Sequence, residues 1–126
     1  MGMHERVCRI VDLGLVEYHA AWDLQRRVAA ARAENRTVDT LLLLEHPHTF
    51  TLGRRGDQKH LLWSPAELAK HDVVVRWVDR GGDITYHGPG QLVGYPILPL
   101  AEPGWQGRRL PQMDYVGYLR RLEQTL

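Results

Sequence analysis

The sequence predicts an α/β (α+β) fold, a mixed sheet with packed helices, on three observations. Short runs rich in leucine or β-branched residues have the length of strands, a longer stretch carries apolar residues at helical spacing, and glycine or proline stands at most of the junctions. With 126 residues, 44% of them hydrophobic and 25% charged, the chain is expected to fold as one domain.

Residues 7–13 alternate apolar and polar as a strand does, and Gly14 separates them from a helix. That helix places Tyr18, Trp22, Gln25, Val28 and Ala29 on one stripe and ends near Asn35. Residues 40–45 hold four consecutive leucines, the pattern of a central strand buried on both faces. Proline keeps His46 extended, so His46-Pro47-His48 turns a corner into a second short strand, 49–52, which Gly53 closes. Ser64-Pro65-Ala66-Glu67 is a capping box that starts a helix running to about Lys70. Strands follow at 73–78 and 91–98. Residues 100–112, rich in proline and glycine, read as a flexible connection, and 114–126 as a helix with Tyr115, Leu119, Leu122 and Leu126 on one face. No stop signal follows that last helix, so the domain is expected to be incomplete at its carboxy-terminal end. One sheet is expected to carry all the strands.

A net charge of +1 gives no reason to expect nucleic-acid binding, and no apolar run is long enough to span a bilayer. The single cysteine, Cys8, excludes an internal disulfide and suits a reducing compartment, so a cytoplasmic location is expected. Cys8 itself reads as a small buried apolar residue. The seven histidines form no His-Glu-x-x-His pair, so they read as satisfied or surface histidines and not as metal ligands. Ser64, the only serine, is used as a helix cap, which leaves a serine triad without a nucleophile.

The segment Asp79-Arg80-Gly81-Gly82-Asp83-Ile84-Thr85-Tyr86-His87-Gly88-Pro89-Gly90-Gln91 holds the chemistry. Four glycines within ten residues let a backbone take positive φ or approach a ligand closely, and Tyr86 and His87 stand between the two glycine groups. Dinucleotide and Walker spacings do not fit. Two ordinary turns around a hairpin would give the same pattern, and the pattern alone leaves both readings open.

The longer run, Arg80 to Gln91 followed by Leu92-Val93-Gly94-Tyr95-Pro96, closely resembles the signature of lipoyl(octanoyl) transferases, and Leu44-Glu45-His46-Pro47 and Thr51-Leu52-Gly53-Arg54 match upstream. The resemblance extends from about Leu13 to the end of the chain. It implies the fold of the biotin and lipoate ligases and an acyltransferase that moves an octanoyl group from octanoyl-acyl carrier protein to a lysine of lipoyl domains, those of 2-oxoacid dehydrogenases and of the glycine cleavage H protein, through a cysteine thioester. It implies that Arg80, Gly81, Gly82, Asp83, Ile84, Thr85, Tyr86 and His87 line the acyl substrate, with Gly88, Gly90 and Gln91 completing the loop, and it implies no cofactor: no metal and no nucleotide. In that family the nucleophilic cysteine and the lysine that activates it follow everything present here, so residues 1–126 are expected to be the amino-terminal portion of the catalytic domain, inactive alone.

Within that loop, Ile84 and Tyr86 are suited to an apolar slot, and His87 or Arg80 to orienting the thioester carbonyl or the carrier's phosphopantetheine; a pairing of Arg80 with Asp79 or Asp83 is the plainer alternative. Arg54-Arg55, Arg108-Arg109 and Arg120-Arg121 are suited to an acidic carrier protein or are simply solvated. A non-catalytic acyl- or partner-binding module is the competing class. An ATP-dependent lipoate or biotin ligase has the same architecture, but the Thr-Tyr-His-Gly-Pro-Gly-Gln version of the loop argues against it.

Overall fold

The computed structural model describes residues 5–100 and 115–126. In chain order these form β1 (Cys8–Leu15), α1 (Tyr18–Ala33), β2 (Asp39–Glu45), β3 (Thr49–Leu52), a single 3-10 turn at Gln58–His60, α2 (Pro65–Lys70), β4 (Val74–Trp77), β5 (Ile84–His87), β6 (Val93–Ile97) and α3 (Tyr115–Thr125). The mixed α/β class is as expected. The single sheet is not: the described strands form two three-stranded sheets, ordered β1-β2-β6 and β4-β3-β5.

The division follows from the corner. β2 is parallel to β1, with α1 as the crossover that parallel pairing requires, and antiparallel to β6. The chain then passes through His46-Pro47-His48, where Pro47 has no N–H to continue a ladder, and β3 becomes the centre of the other sheet, parallel to β4 and antiparallel to β5. Residues 88–92 carry the chain back from β5 to β6. The two sheets are therefore joined twice, once by the histidine-containing corner and once by the second glycine group of the signature.

Several expected boundaries shift. Gly14 does not end the first strand: with φ 65 and its N–H donated to Asp12 Oδ1 at 3.1 Å, it forms an irregularity inside β1, and pairing with β2 resumes at Leu15. α1 begins at the Glu17 cap, whose carboxylate accepts the Ala20 N–H, and stops just before Asn35, which takes the left-handed φ of 54. Ala29, expected on the inner stripe, is exposed; the most buried position is Ala21, and Leu24, Val28 and Ala31 face Val11, Leu13 and Leu42 across a cavity of about 320 Å³. β2 has its expected central place, yet only Leu42 and Leu44 are buried while Leu41 and Leu43 are half-buried, because α1 packs on the Leu42 face.

α2 is built as the sequence indicates: Ser64 accepts the Glu67 N–H, Glu67 accepts the Ser64 N–H, and Pro65 opens the helix. α3 forms, but Leu119 and Leu126 are exposed and it is Tyr118 that lines a cavity with Trp22 and Gln25 of α1. The expected connection 100–112 lies, apart from Leu100, outside the described residues. Of the buried threonines, Thr40 and Thr49 are satisfied locally, donating to Val38 O and Pro47 O, and among the described residues no buried side-chain nitrogen or oxygen lacks a partner.

Candidate functional site

Arg80 fixes the start of the signature. Its Nη2 donates to Thr51 O (2.9 Å), Thr51 Oγ1 (2.9 Å) and Asp83 O (3.0 Å), and its Nη1 to Gly81 O (2.7 Å). The plain pairing with a neighbouring carboxylate is not what forms, because the guanidinium fork is spent on carbonyls of its own turn and of β3. The Asp83 carboxylate is used elsewhere: it accepts the Asp57 N–H at 3.0 Å and pairs with His60, and the Asp57 amide in particular holds its carboxyl below the usual range.

A second set of bonds closes the other side of this turn. The N–H groups of Gly53, Arg54 and Arg55 donate to Asp83 O, Arg80 O and Gly82 O at 2.9, 2.9 and 3.1 Å. Such close approach needs Gly53, since a Cβ there would run into the carbonyls of Gly81 and Gly82. Gly82 itself has φ 88. Gly81 has neither a positive φ nor any atom within 4 Å of where a Cβ would stand, so within the described structure it has no steric reason to be glycine.

β5, a strand missed by sequence reasoning because glycines surround it, carries the middle of the signature. It pairs with β3 and not with a sequence neighbour, so the hairpin reading fails. Side chains alternate along a strand, which sets Ile84 and Tyr86 on one face and Thr85 and His87 on the other. Tyr86 helps line a cavity of about 360 Å³ with His48, Phe50, Trp63, His71 and Val73, and its hydroxyl lies 2.6 Å from His48 Nδ1. A Cβ on Gly88 would occupy the space of that phenol. Ile84 does not line this cavity; it sits opposite Leu52.

On the other face, His87 stands beside the rings of Tyr18 on α1 and His46 in the corner. Its ring centre is 5.9 Å from Tyr18 and 5.8 Å from His46, and His46 is 4.9 Å from Tyr18 and 6.1 Å from Tyr95. His46 Nδ1 lies 2.8 Å from Val16 O, which can only accept, so Nδ1 carries the proton and Nε2 accepts the Tyr95 hydroxyl at 2.8 Å. Burial, with a smaller contribution from nearby His87, lowers the His46 pKa below the ordinary imidazole value and keeps it neutral. Burial also raises Tyr95, to about 12, so both partners hold the protons this geometry needs. Tyr18 is likewise raised by burial, against the opposing pull of Arg80.

Gln91 completes the loop. A turn closed by the Gln91 N–H on Gly88 O, with Gly90 at φ 89, brings its amide back to β5, where Oε1 meets His87 Nδ1 at 2.8 Å and Nε2 donates to Tyr86 O at 3.4 Å. The structure thus brings Arg80, Gly82, Asp83, Thr85, Tyr86, His87, Gly88, Gly90 and Gln91 into one held segment, while dividing Tyr86 from His87 by face. Sequence reading gave no site role to Tyr18, His46 or Tyr95; the available signal was that His46-Pro47 and Tyr95-Pro96 both belong to the matching stretches.

The expectation of a buried Cys8 is corrected: the thiol is exposed, because it stands on β1, an outer strand of its sheet among the described residues. Among the described residues no three histidine, cysteine or carboxylate side chains converge to hold a metal ion, and no helix is long and apolar enough to cross a membrane.

A family model described as the lipoyl protein ligase A/B catalytic domain matches residues 17–126. The chain is 53% identical over 117 residues to an octanoyltransferase of Nocardia farcinica, covering 93% of this chain and 40% of that protein. It is 46% identical over 121 residues to an octanoyltransferase of Chloroflexus aggregans (96% and 51%) and 49% identical over 113 residues to one of Syntrophobacter fumaroxidans (90% and 47%). The chain thus spans about half the length of the curated relatives it matches. By the extent of the family match and the architecture it accompanies, this chain belongs to the lipoyl protein ligase A/B catalytic domain family.

Proposed function

We propose that the chain supplies the acyl-binding part of an octanoyltransferase, which takes an octanoyl group from octanoyl-acyl carrier protein and passes it to a lysine of the lipoyl domains of 2-oxoacid dehydrogenases and of the glycine cleavage H protein. The observation that carries this reading is the fixed presentation of Thr85 and His87 on one face of β5, backed by Tyr18 and His46. The shared name of the relatives favours acyl transfer over ATP-dependent ligation.

The acyl thioester is assigned to the Thr85 and His87 face. Thr85 is exposed there, whereas the Tyr86 ring is already committed to His48 and Phe50. Arg80 acts as the clasp that holds the loop, since its donors are engaged by carbonyls. The glycine-rich turns are the kind of backbone that offers amides to a thioester carbonyl. Cys8 precedes the matched span and stands in the sheet that does not contain β5; Lys59 and Lys70 are exposed on other elements. The thiol and the lysine of the transfer are therefore assigned to residues outside these 126, and the described elements to one portion of a single cytoplasmic catalytic domain.

Calorimetry with octanoyl-pantetheine, against pantetheine alone, tests this. Saturable binding that depends on the octanoyl group and weakens at least tenfold in Thr85→Trp is expected, with the intact mass of the protein unchanged afterwards. Equal binding of the two compounds, indifference to the substitution, or an octanoyl adduct on Cys8 would overturn it.

A further inference from the structure

The two contacts of Gln91 orient its amide. Tyr86 O only accepts, so the group facing it at 3.4 Å is the Gln91 NH₂, and Oε1 is left facing His87 Nδ1 at 2.8 Å. An amide oxygen also only accepts, so neutral His87 carries its proton on Nδ1. Its Nε2 then bears the lone pair, and among the described residues no hydrogen-bond partner meets it.

We infer that Gln91 is a positioning residue that locks His87 in the Nδ1–H tautomer, so that His87 presents an acceptor, not a donor, to whatever binds on the Thr85 face. This rests on the acyl-binding reading for its ligand but not for its geometry. The consequence concerns specificity. A neutral Nε2 repels the oxygen of a thioester carbonyl and attracts an N–H, O–H or S–H group, so the partner of His87 is the amide or hydroxyl of a pantetheine-like arm, or an incoming amine or thiol. Orientation of the carbonyl, one of the roles expected for His87, falls instead to other donors. The neighbouring rings leave this tautomer undisturbed: His46 is neutral with both nitrogens engaged, and Tyr18 keeps its proton.

Long-range proton–nitrogen correlation spectra of the ¹⁵N-histidine-labelled protein read the two ring nitrogens of His87 directly. At about pH 9, where an imidazole is neutral, the wild type is expected to show Nδ1 protonated and Nε2 bare. Gln91→Met, which keeps the length and removes the acceptor, is expected to mix or invert that pattern, and Gln91→Glu, which restores an acceptor, to return it. An Nε2–H tautomer in the wild type, or an Nδ1–H tautomer that persists in Gln91→Met, would overturn the inference. These spectra need no acyl ligand, so failure here is distinguishable from failure of the acyl-binding reading, which would leave the tautomer as stated and abolish the octanoyl-pantetheine response.

Discussion

The hydroxyl of Tyr95 donates to His46 Nε2 across 2.8 Å, so β6 of one sheet holds the chain at the point where it leaves for the other. His46 is fully buried and its Nδ1–H donates to Val16 O. Tyr95→Phe removes the donor and leaves a buried imidazole nitrogen unpaired, a loss expected to cost about 1–3 kcal/mol. Urea denaturation checks this, and an unchanged midpoint would show that water or a rearrangement replaces the bond.

The same histidine sets a pH dependence. Its folded pKa lies below its unfolded value, so the unfolded chain binds the proton more readily. The stability involved is fully present above the unfolded value of about 6.5 and is lost as pH falls from there through the folded pKa. The paired carboxylates of Glu17 and Asp39, whose pKa values are also lowered, act in the same direction but only in the more acidic carboxylate range. A melting temperature that declines between about pH 6.5 and 5 in the wild type, and stays level there in His46→Gln, is the expected result.

Gly53 and Gly81 should respond oppositely to alanine. At Gly53 the new Cβ meets two backbone carbonyls that cannot swing aside, while at Gly81 it meets open space. Gly53→Ala is expected to cost about 2 kcal/mol or more through forced backbone movement, and Gly81→Ala less than about 1 kcal/mol. Comparable losses at both sites would mean that Gly81 is constrained by something beyond the described residues.

Arg80→Lys keeps the charge and loses the fork. A single ammonium cannot reach Thr51 O, Gly81 O and Asp83 O together, so the turn should loosen. Faster amide exchange at Gly53, Arg54 and Arg55, whose N–H groups close on that turn, is the expected signature. Unchanged protection at those amides would move the clasp role elsewhere.

Apolar side chains on β1 stand open, with Ile10 65% and Leu15 60% exposed beside a strand edge that is unpaired among the described residues. The 126-residue chain is expected to self-associate as its concentration rises, an effect sedimentation velocity would register. A single monomeric species up to about 100 μM would count against it.

Local signals in the sequence carried most of the fold. The Ser64 capping box, the Pro47 corner and the leucine run of β2 each act within a few residues, and each element formed where its residues indicate. What was not legible depends on distant partners. Nothing near β5 reveals that it pairs with β3, and without that pairing neither the two-sheet division nor the separation of Tyr86 from His87 can be read. Cys8 was misjudged because a small thiol's average burial says nothing about whether its strand lies at an edge. The glycine-rich segment was legible as a site candidate, but the use of Arg80 as a clasp was not, because its acceptors are carbonyls, which every residue has.

The proposed acyl-binding face of β5 is tested most directly by nuclear magnetic resonance. Amide and methyl shifts of the isotope-labelled protein, titrated with octanoyl-pantetheine, are expected to change at Thr85, His87 and the Gly88–Gln91 turn, together with Tyr18. Changes confined to Phe50, Trp63 and Val73 on the opposite face, or no saturable change at all, would contradict it.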